Sequence, residues 1–148
     1  MTELAVTVAM AAILASIAVP SFSGFIASQR AKAAASELFA ELMRTRSEAI
    51  MRNASITVSQ YSGGWNNGWY VENPTNPTSI PNALDNHGAL SAVTVVGPAT
   101  VTYRPSGRVQ ATAAPMFVIT TTSGSATNHQ CVSVDLNGRP YMQAAATC

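Results

Sequence analysis

The longest uncharged run of this chain lies near its start and limits what its first part can form. Leu4 to Gln29 holds 26 residues without a charge, and Leu4 to Val19 is almost wholly Ala, Val, Ile, Leu and Met. A bilayer span needs about 20 predominantly apolar residues in a helix. A soluble core helix would keep a polar face, and a signal peptide would begin with basic residues and end at a cleavage site. The run therefore predicts a membrane-resident helix over residues 1–27.

Two residues of this stretch stand out from the apolar background. Glu3 lies at its edge, where a carboxylate is costly unless it is paired. It either lies idle in the lipid headgroups or receives a cation from a partner, so that its burial is favourable only in an assembly. Pro20 removes an intrahelical hydrogen bond. It either ends the helix or kinks a longer one, which membrane helices tolerate.

Residues 28–53 predict the amphipathic second half of the same helix. Opposite charges four residues apart, at Arg44, Glu48 and Arg52, support it, and Asn53 is a plausible stop. The whole helix has about 50 residues and measures about 75 Å at 1.5 Å per residue. Its apolar stripe is expected to cover the domain that follows. That stripe consists of Phe22, Phe25, Ile26, Leu38, Phe39, Leu42, Met43, Ala49 and Ile50.

Residues 54–148 change to the two-residue period of β-strands. Asn137-Gly138 between two such runs is a strong hairpin signal, whereas residues 73–88 hold three prolines and are interpreted as a loop. The fold class is therefore α+β, a long N-terminal helix with a β-rich C-terminal domain. The predicted strands lie near Ile56–Gln60, Gly68–Val71, Val93–Val96, Ala99–Tyr103, Met116–Thr122 and Gln130–Leu136.

The chain has two cysteines, Cys131 in a predicted strand and Cys148 at the last position. An even count outside any metal-binding spacing favours a disulfide. It would close a loop of about 17 residues, contribute roughly 3 kcal/mol by the chain-entropy model and hold the last strand in place.

The sequence shows no group of residues suited to catalysis or metal binding. His87 and His129 lie far apart in predicted loops and are interpreted as exposed polar residues, while Asp85 and Asp135 are isolated acids. No Cys/His cluster has zinc spacing. We therefore predict neither an enzyme nor a cofactor.

Three arginines, Arg104, Arg108 and Arg139, make up half of the six charges between residues 53 and 148. They flank predicted turns, so they are either ordinary solvated charges or a small patch that contacts phosphates. Arginine forks pair well with phosphate oxygens. Such contacts would position a DNA backbone without reading its sequence.

The N-terminal stretch closely resembles that of mature type IV pilins and type II secretion pseudopilins. The resemblance rests on Glu3 followed by the unbroken apolar run Leu4–Val8 and Ala12–Phe22. Further segments resemble the GspH/FimT/FimU branch of that family. They are Arg46–Ile50, Gly64–Val71, Val101–Arg108 and Cys131–Arg139.

The resemblance implies a filament-forming subunit, and the branch favours a minor subunit over an abundant one. Such a subunit waits in the bacterial inner membrane until the pilus assembly machinery draws it into an extracellular pilus or a periplasmic pseudopilus of packed helices. Glu3 would pair with the N-terminal amine of a neighbouring pilin subunit, and the helix would kink or melt at Pro20. The globular domain would be a sandwich-like pair of sheets packed on the second half of the helix.

The chain departs from the family pattern in two places. The acid is third, whereas the family acid is fifth and follows a methylated Phe, so we expect two residues to be missing before Met1. Members implicated in DNA uptake carry Gly-Arg-x-Arg, where this chain has Gly138-Arg139-Pro140-Tyr141. The missing second arginine speaks against the alternative function, a pilus-associated DNA receptor.

Overall fold

The chain forms one long helix followed by eight short strands within the residues that the computed structural model describes. These are 2–77, 80–124, 126–143 and 148, with the backbone alone described for 15–21. The α+β fold class is confirmed. The helix is α1 (Thr2–Arg52), and the strands are β1 (Ile56–Gln60), β2 (Trp69–Val71), β3 (Asp85–His87), β4 (Thr94–Val96), β5 (Thr100–Tyr103), β6 (Met116–Ser123), β7 (Ala126–Val134) and β8 (Pro140–Gln143).

The end of α1 follows the prediction. Asn53 adopts the left-handed conformation with φ 48°, which asparagine tolerates just beyond a helix. The amide of Ala54 then donates to the carbonyl of Ala49 over 3.2 Å and closes the last turn. The helix also continues through position 20. The side chain of Pro20 lies outside the described residues, so its role as a kink stays a prediction.

The face of α1 that packs on the β-domain is made mainly of small residues rather than the large ones expected. Phe22 and Phe25, placed on the buried stripe by their spacing, are 67% and 60% exposed. The expectation is wrong for these positions because residues of α1 become buried against the sheets only from Ala27 onward, although the Ser123 hydroxyl of β6 still donates to that of Ser23. It is also wrong for Ile26, Met43 and Ile50, which are 43%, 40% and 49% exposed. The buried face recurs every three or four residues, at Ala27, Ala31, Ala34, Ala35, Leu38, Leu42, Thr45 and Ala49.

Among the described residues, which leave out the side chains at 15–21, no helix is long and apolar enough to cross a bilayer. The membrane span over residues 1–27 stays a prediction.

The strands form two antiparallel four-stranded sheets. The first has the order β3-β2-β1-β5 and the second β4-β6-β7-β8. Their inner side chains and the buried face of α1 enclose one hydrophobic core. Trp65 and Trp69, each 1% exposed, are its largest members. Trp65, which lies between β1 and β2, packs against Trp69 of β2 and contacts the Phe117 ring of β6 edge-on at 4.9 Å between centroids. The core therefore joins both sheets, as the sandwich-like architecture requires.

The interpretation of residues 73–88 as a loop is wrong at its end. β3 pairs with β2, with Trp69 opposite His87 and Val71 opposite Asp85. His87 is half-buried, and its ring stacks on the Trp69 ring at 4.1 Å between centroids. His129 also lies in a strand, β7, with its Nδ1 3.2 Å from the Thr120 hydroxyl. Both histidines were expected in exposed loops, but pairing of β3 with β2 and of β7 with β6 places them in strands instead.

The predicted disulfide between Cys131 and Cys148 is present, with a Cα–Cα distance of 5.8 Å. Cys131 is buried in β7, which pairs with β8. The bond therefore ties the end of the chain to a central strand of the second sheet.

Candidate functional site

The first arginine-bearing turn follows β5. The amide of Arg104 donates to the carbonyl of Arg108 over 2.8 Å, and the amide of Gly107 donates to the carbonyl of Arg104 over 2.8 Å. Arg104 and Arg108 are both exposed at the ends of this turn. The local sequence Pro105-Ser106-Gly107 provides the glycine that the turn needs at φ 75°.

The second arginine-bearing turn joins β7 to β8, as the Asn137-Gly138 signal predicted. The amide of Gly138 donates to the carbonyl of Asp135 over 2.8 Å, and Asp135 Oδ1 accepts from the amide of Arg139 over 2.8 Å. Asp135 was interpreted as an isolated acid. It instead fixes the turn through its side chain, so that interpretation is wrong.

The two turns, hereafter the twin turns (104–108 and 135–139), lie directly against each other. An ideal Cβ on Gly138 would lie 1.8 Å from the carbonyl oxygen of Gly107 and 3.3 Å from the Cα of Arg108. Gly138 also has φ 82°. Only glycine permits this approach, and it brings Arg108 next to Arg139.

The C-terminal end of α1 supports the twin turns. Arg46 Nε donates to the carbonyl of Gly107 over 3.0 Å, and the Ile50 side chain approaches the same glycine closely. Tyr103 lies at the end of β5 with its ring fully buried, and burial raises the pKa of its hydroxyl. Through its hydrogen bond to the carbonyl of Gly107, Arg46 positions the first turn. Its sequence context did not indicate this role.

The guanidinium groups of the twin turns are free to take a ligand. Within the described ranges, the structure gives Arg104, Arg108 and Arg139 no ion pair or hydrogen bond through their side chains. A groove of about 440 Å³ runs between Arg104, Arg108 and Leu136. Forked N–H donors at such a surface suit phosphate or carboxylate oxygens. The structure thus brings together the three arginines that the sequence singled out.

A second charged cluster lies on the other side of α1, where the helix meets β3. Arg44 forms an ion pair with Asp85, and His87 Nε2 lies 3.2 Å from Glu37 Oε2. The interpretation of Asp85 as isolated is therefore wrong. These contacts fasten the short strand β3 to the helix.

Glu41 lies in the middle of this second cluster. Its Oε1 is buried beside the indole N–H of Trp69; neither atom has a hydrogen bond of ordinary geometry within the described ranges, but the indole still lowers the pKa of the carboxyl. Burial, and then the nearby carboxylate of Asp85, raise the pKa of Glu41 above its ordinary value of 4.5, and Arg44 partly opposes them. Glu41 also lines a recess of about 60 Å³ together with Glu48 and Asp85.

We expect Glu41→Gln to stabilise the folded chain at pH 7. The folded pKa of Glu41 lies above its unfolded value, so the ionised carboxylate costs folding energy at neutral pH. The cost is relieved as the pH falls through the folded pKa and is absent below 4.5. Because Glu41 is only half-buried, solvent screening limits the gain to about 0.5 kcal/mol. Urea unfolding at pH 7 and pH 4 measures it.

The control for this substitution is Glu37→Gln, which removes a more exposed carboxylate that faces His87. We expect it to be neutral or slightly destabilising at pH 7. A gain for Glu41→Gln that persists unchanged at pH 4 would contradict the assignment of the cost to the ionised carboxylate.

The remaining predicted site residue, Glu3, lies apart from both clusters. It is exposed in the first turn of α1. No cluster of metal-ligating His, Cys, Asp or Glu side chains occurs among the residues that the structure describes.

The comparisons with known proteins agree with this architecture. The chain resembles two crystal structures of the type IV minor pilin FimU from Pseudomonas aeruginosa. One is 22% identical over 79% of this chain and 98% of that chain, with a TM-score of 0.65. The other is 21% identical over 79% of this chain and 93% of that chain, with a TM-score of 0.67. At this identity the likeness shows a shared fold.

A comparison with curated proteins finds no match. The family model described as type II transport protein GspH matches residues 34–138, well over half of the chain. The matched segment contains α1 from Ala34 onward, the first of the twin turns, and the second turn as far as Gly138. The chain therefore belongs to the GspH family.

Proposed function

We propose that this chain is a structural subunit of a type IV pilus or a type II secretion pseudopilus, and that it polymerises through α1. The supporting observation is the first half of α1, which extends beyond the β-domain with large apolar side chains open on every described face. Such a surface needs a cover. Neighbouring helices provide it in a filament, and the inner membrane provides it before assembly. The exposed side chains are Leu4, Val6, Val8, Met10, Ile13 and Leu14.

Glu3 is the residue through which this assembly is controlled in the proposal. In a filament its carboxylate is buried among helices, where an ion loses hydration and needs a partner. The N-terminal amine of a neighbouring subunit supplies the opposite charge. Before assembly the same carboxylate remains at the edge of the apolar segment, where water solvates it.

The test replaces Glu3 with Ala in the full chain. The amount of the chain is then measured in the membrane fraction and in filaments sheared from the cells. We expect the amount in the membrane fraction to stay unchanged and the amount in sheared filaments to fall at least about tenfold. Each 1.4 kcal/mol of lost interaction is tenfold in an equilibrium. Glu72→Ala, which changes an acid of the β-domain, is the matched control. Incorporation of the Glu3→Ala chain at the level of the unchanged chain would overturn the proposal.

Within this proposal, a minor subunit is favoured over an abundant one because the structures that resemble the chain are of a minor pilin. Quantitative mass spectrometry of purified filaments measures the copy number relative to the most abundant pilin. The copy number of a minor subunit should lie well below that of the most abundant pilin. An equal copy number would show that this chain is an abundant subunit.

A second candidate function is a pilus-associated DNA receptor at the twin turns. The observation in its favour is the group of exposed arginines without side-chain partners in the described ranges. The net charge of +1 provides no wider attraction for DNA. The missing second arginine at Tyr141 also weighs against it.

A mobility-shift titration of the solubilised full chain on duplex DNA, at two salt concentrations, tests this candidate. If the twin turns bind phosphates, Arg108→Gln and Arg139→Gln should each weaken binding and reduce the salt slope by about 1. Arg44→Gln, on the other side of α1, should leave the slope unchanged. The absence of any salt-dependent shift for the unchanged chain would exclude the receptor role.

A further inference from the structure

The groove at the first of the twin turns is part of a longer depression. The groove of about 440 Å³ between Arg104, Arg108 and Leu136 adjoins a second groove of about 390 Å³. The two grooves share Arg104 and Ala111 as lining residues, so together they form one elongated depression that suits an extended chain. We name it the arginine furrow, after its main lining residues Arg104, Ser106, Arg108, Gln110, Ala111 and Leu136.

The backbone around the arginine furrow is held by its own hydrogen bonds. The segment after the first turn folds back on β5, where the amide of Gln110 donates to the carbonyl of Thr102 over 2.8 Å. In the twin turns, the amides of Gly107 and Gly138 also donate to backbone carbonyls over 2.8 Å. These amides are engaged within the fold, so they are not the donors that a ligand would meet.

The donors that remain for a ligand are guanidinium groups. The side chains of Arg104, Arg108 and Arg139 have no ion pair or hydrogen bond among the residues that the structure describes. A guanidinium presents a planar fork of N–H groups that matches the two oxygens of a carboxylate or of a phosphate. The ligand of the arginine furrow is therefore expected to carry acidic groups.

Exposed apolar side chains adjoin these arginines. Leu136 lines the furrow and is 41% exposed, and Ile50, whose side chain approaches Gly107, is 49% exposed. A DNA backbone offers phosphates and sugars and would leave such side chains in water. A polypeptide offers carboxylates and apolar side chains together, and arginine beside apolar residues is typical of protein interfaces. The surface thus favours an acidic peptide segment over DNA.

The charge at the furrow is local. The twin turns and Arg46, which supports them, carry four arginines and one acid, Asp135, and so have a formal charge of +3, whereas the whole chain has only +1. Salt screens exposed charges over about 10 Å at 0.1 M. The furrow therefore acts at contact range, which suits a neighbour already held beside it rather than a polyanion attracted from a distance.

We propose that the arginine furrow receives an extended acidic segment of a different filament subunit, in which carboxylates lie close to apolar side chains. The carboxylates pair with Arg104 and Arg108, and the apolar side chains cover Leu136. The contact requires one copy of this chain and one of another pilin, as expected of a minor subunit. This inference rests on the proposed filament function and names the chemistry of the partner.

The first test is a titration of the solubilised full chain with a labelled ten-residue peptide that contains four Glu and two Leu, followed by fluorescence anisotropy. Replacing all four Glu with Gln should weaken binding at least tenfold, and replacing both Leu with Ser should weaken it several-fold. Arg104→Gln and Arg108→Gln should each weaken it about tenfold, since each removes a charge-assisted hydrogen bond. Arg52→Gln makes the same charge change beside the recess near Asp85 and should have no effect.

Three results of this titration would overturn the proposal. They are the absence of binding up to about 1 mM peptide, equal affinity for the Glu and Gln peptides, and tighter binding of a ten-base-pair DNA duplex than of the peptide. Because Arg104 and Arg108 are exposed and their side chains have no partners among the described residues, their variants should keep the fold, and circular dichroism checks it.

The second test locates the partner in sheared filaments. A photoreactive benzoylphenylalanine in place of Leu136 should cross-link, by mass spectrometry, to a segment of another pilin that contains Asp or Glu. Adding Arg108→Gln should lower the yield per copy of the chain several-fold. The same photoreactive residue in place of Thr122, exposed on β6, should not capture that segment.

The outcomes of the second test separate the furrow from the filament function. A cross-link to a second copy of this chain, or to a segment without acids, would overturn the docking and leave the filament function standing. Absence of the unchanged chain from filaments would overturn the filament function, while the peptide titration would still decide whether the furrow selects acidic peptides.

Discussion

Gly138→Ala should lower the free energy of unfolding by about 2–4 kcal/mol. Gly138 has φ 82°, and an alanine in the left-handed region costs roughly 1 kcal/mol. Its Cβ would also lie 1.8 Å from the carbonyl oxygen of Gly107. Both atoms belong to or adjoin the backbone, so no side-chain rotation relieves the overlap and the turns must separate. Urea unfolding of the solubilised full chain measures the loss.

Gly124→Ala is the matched control for this substitution. Gly124 also has a positive φ, 59°, but an added Cβ there meets nothing within 4 Å. An alanine at position 124 has the cost of the left-handed backbone without the overlap, so we expect the free energy of unfolding to fall by about 1 kcal/mol. Equal losses at the two positions would show that the contact between the twin turns contributes nothing to stability.

The twin turns also show where sequence analysis stops. The Asn137-Gly138 signal predicted the second turn, and Pro105-Ser106-Gly107 predicted the first, because each depends on residues that are adjacent in the chain. Their contact depends on the registers of β5 and β7 and on the position of α1. No local pattern encodes that contact, so the sequence could name the three arginines but not bring them together.

Strand β3 was missed for a related reason. Asp85-Asn86-His87 is poor in the β-branched and aromatic residues that favour strands. The segment pairs with β2, while Arg44 and the Trp69 ring hold its side chains. Tertiary contacts thus override weak local propensity.

The helix was predicted well in extent and less well in orientation. Its continuous run of helix-forming residues fixes its length, and Asn53 fixes its end. The spacing of apolar residues placed Phe22 and Phe25 on the buried stripe, whereas α1 is buried against the β-domain only from Ala27 onward. Small residues on that face let the helix approach the sheets closely, and large ones before it remain for other partners.

Loss of the disulfide is expected to cost the second sheet much of its stability. Cys131–Cys148 closes a loop with a sequence separation of 17, for which the chain-entropy model gives about 3 kcal/mol. With an m-value of about 1–3 kcal/mol per molar urea, Cys148→Ser should lower the unfolding midpoint by about 1–3 M. Chemical reduction of the unchanged chain should lower it by a similar amount.

The effect should also be local, because the bond holds the end of the chain to β7 while β8 lies at the edge of the sheet. Amide hydrogen exchange should therefore quicken in β8 more than in β6, which is paired on both sides. Cys131 is itself buried, at 3% exposure. A Cys131→Ala, Cys148→Ser double variant therefore separates the contribution of the bond from that of the packing of Cys131. If reduction left both the midpoint and the exchange in β8 unchanged, the strand pairing alone would suffice to hold the C-terminal end.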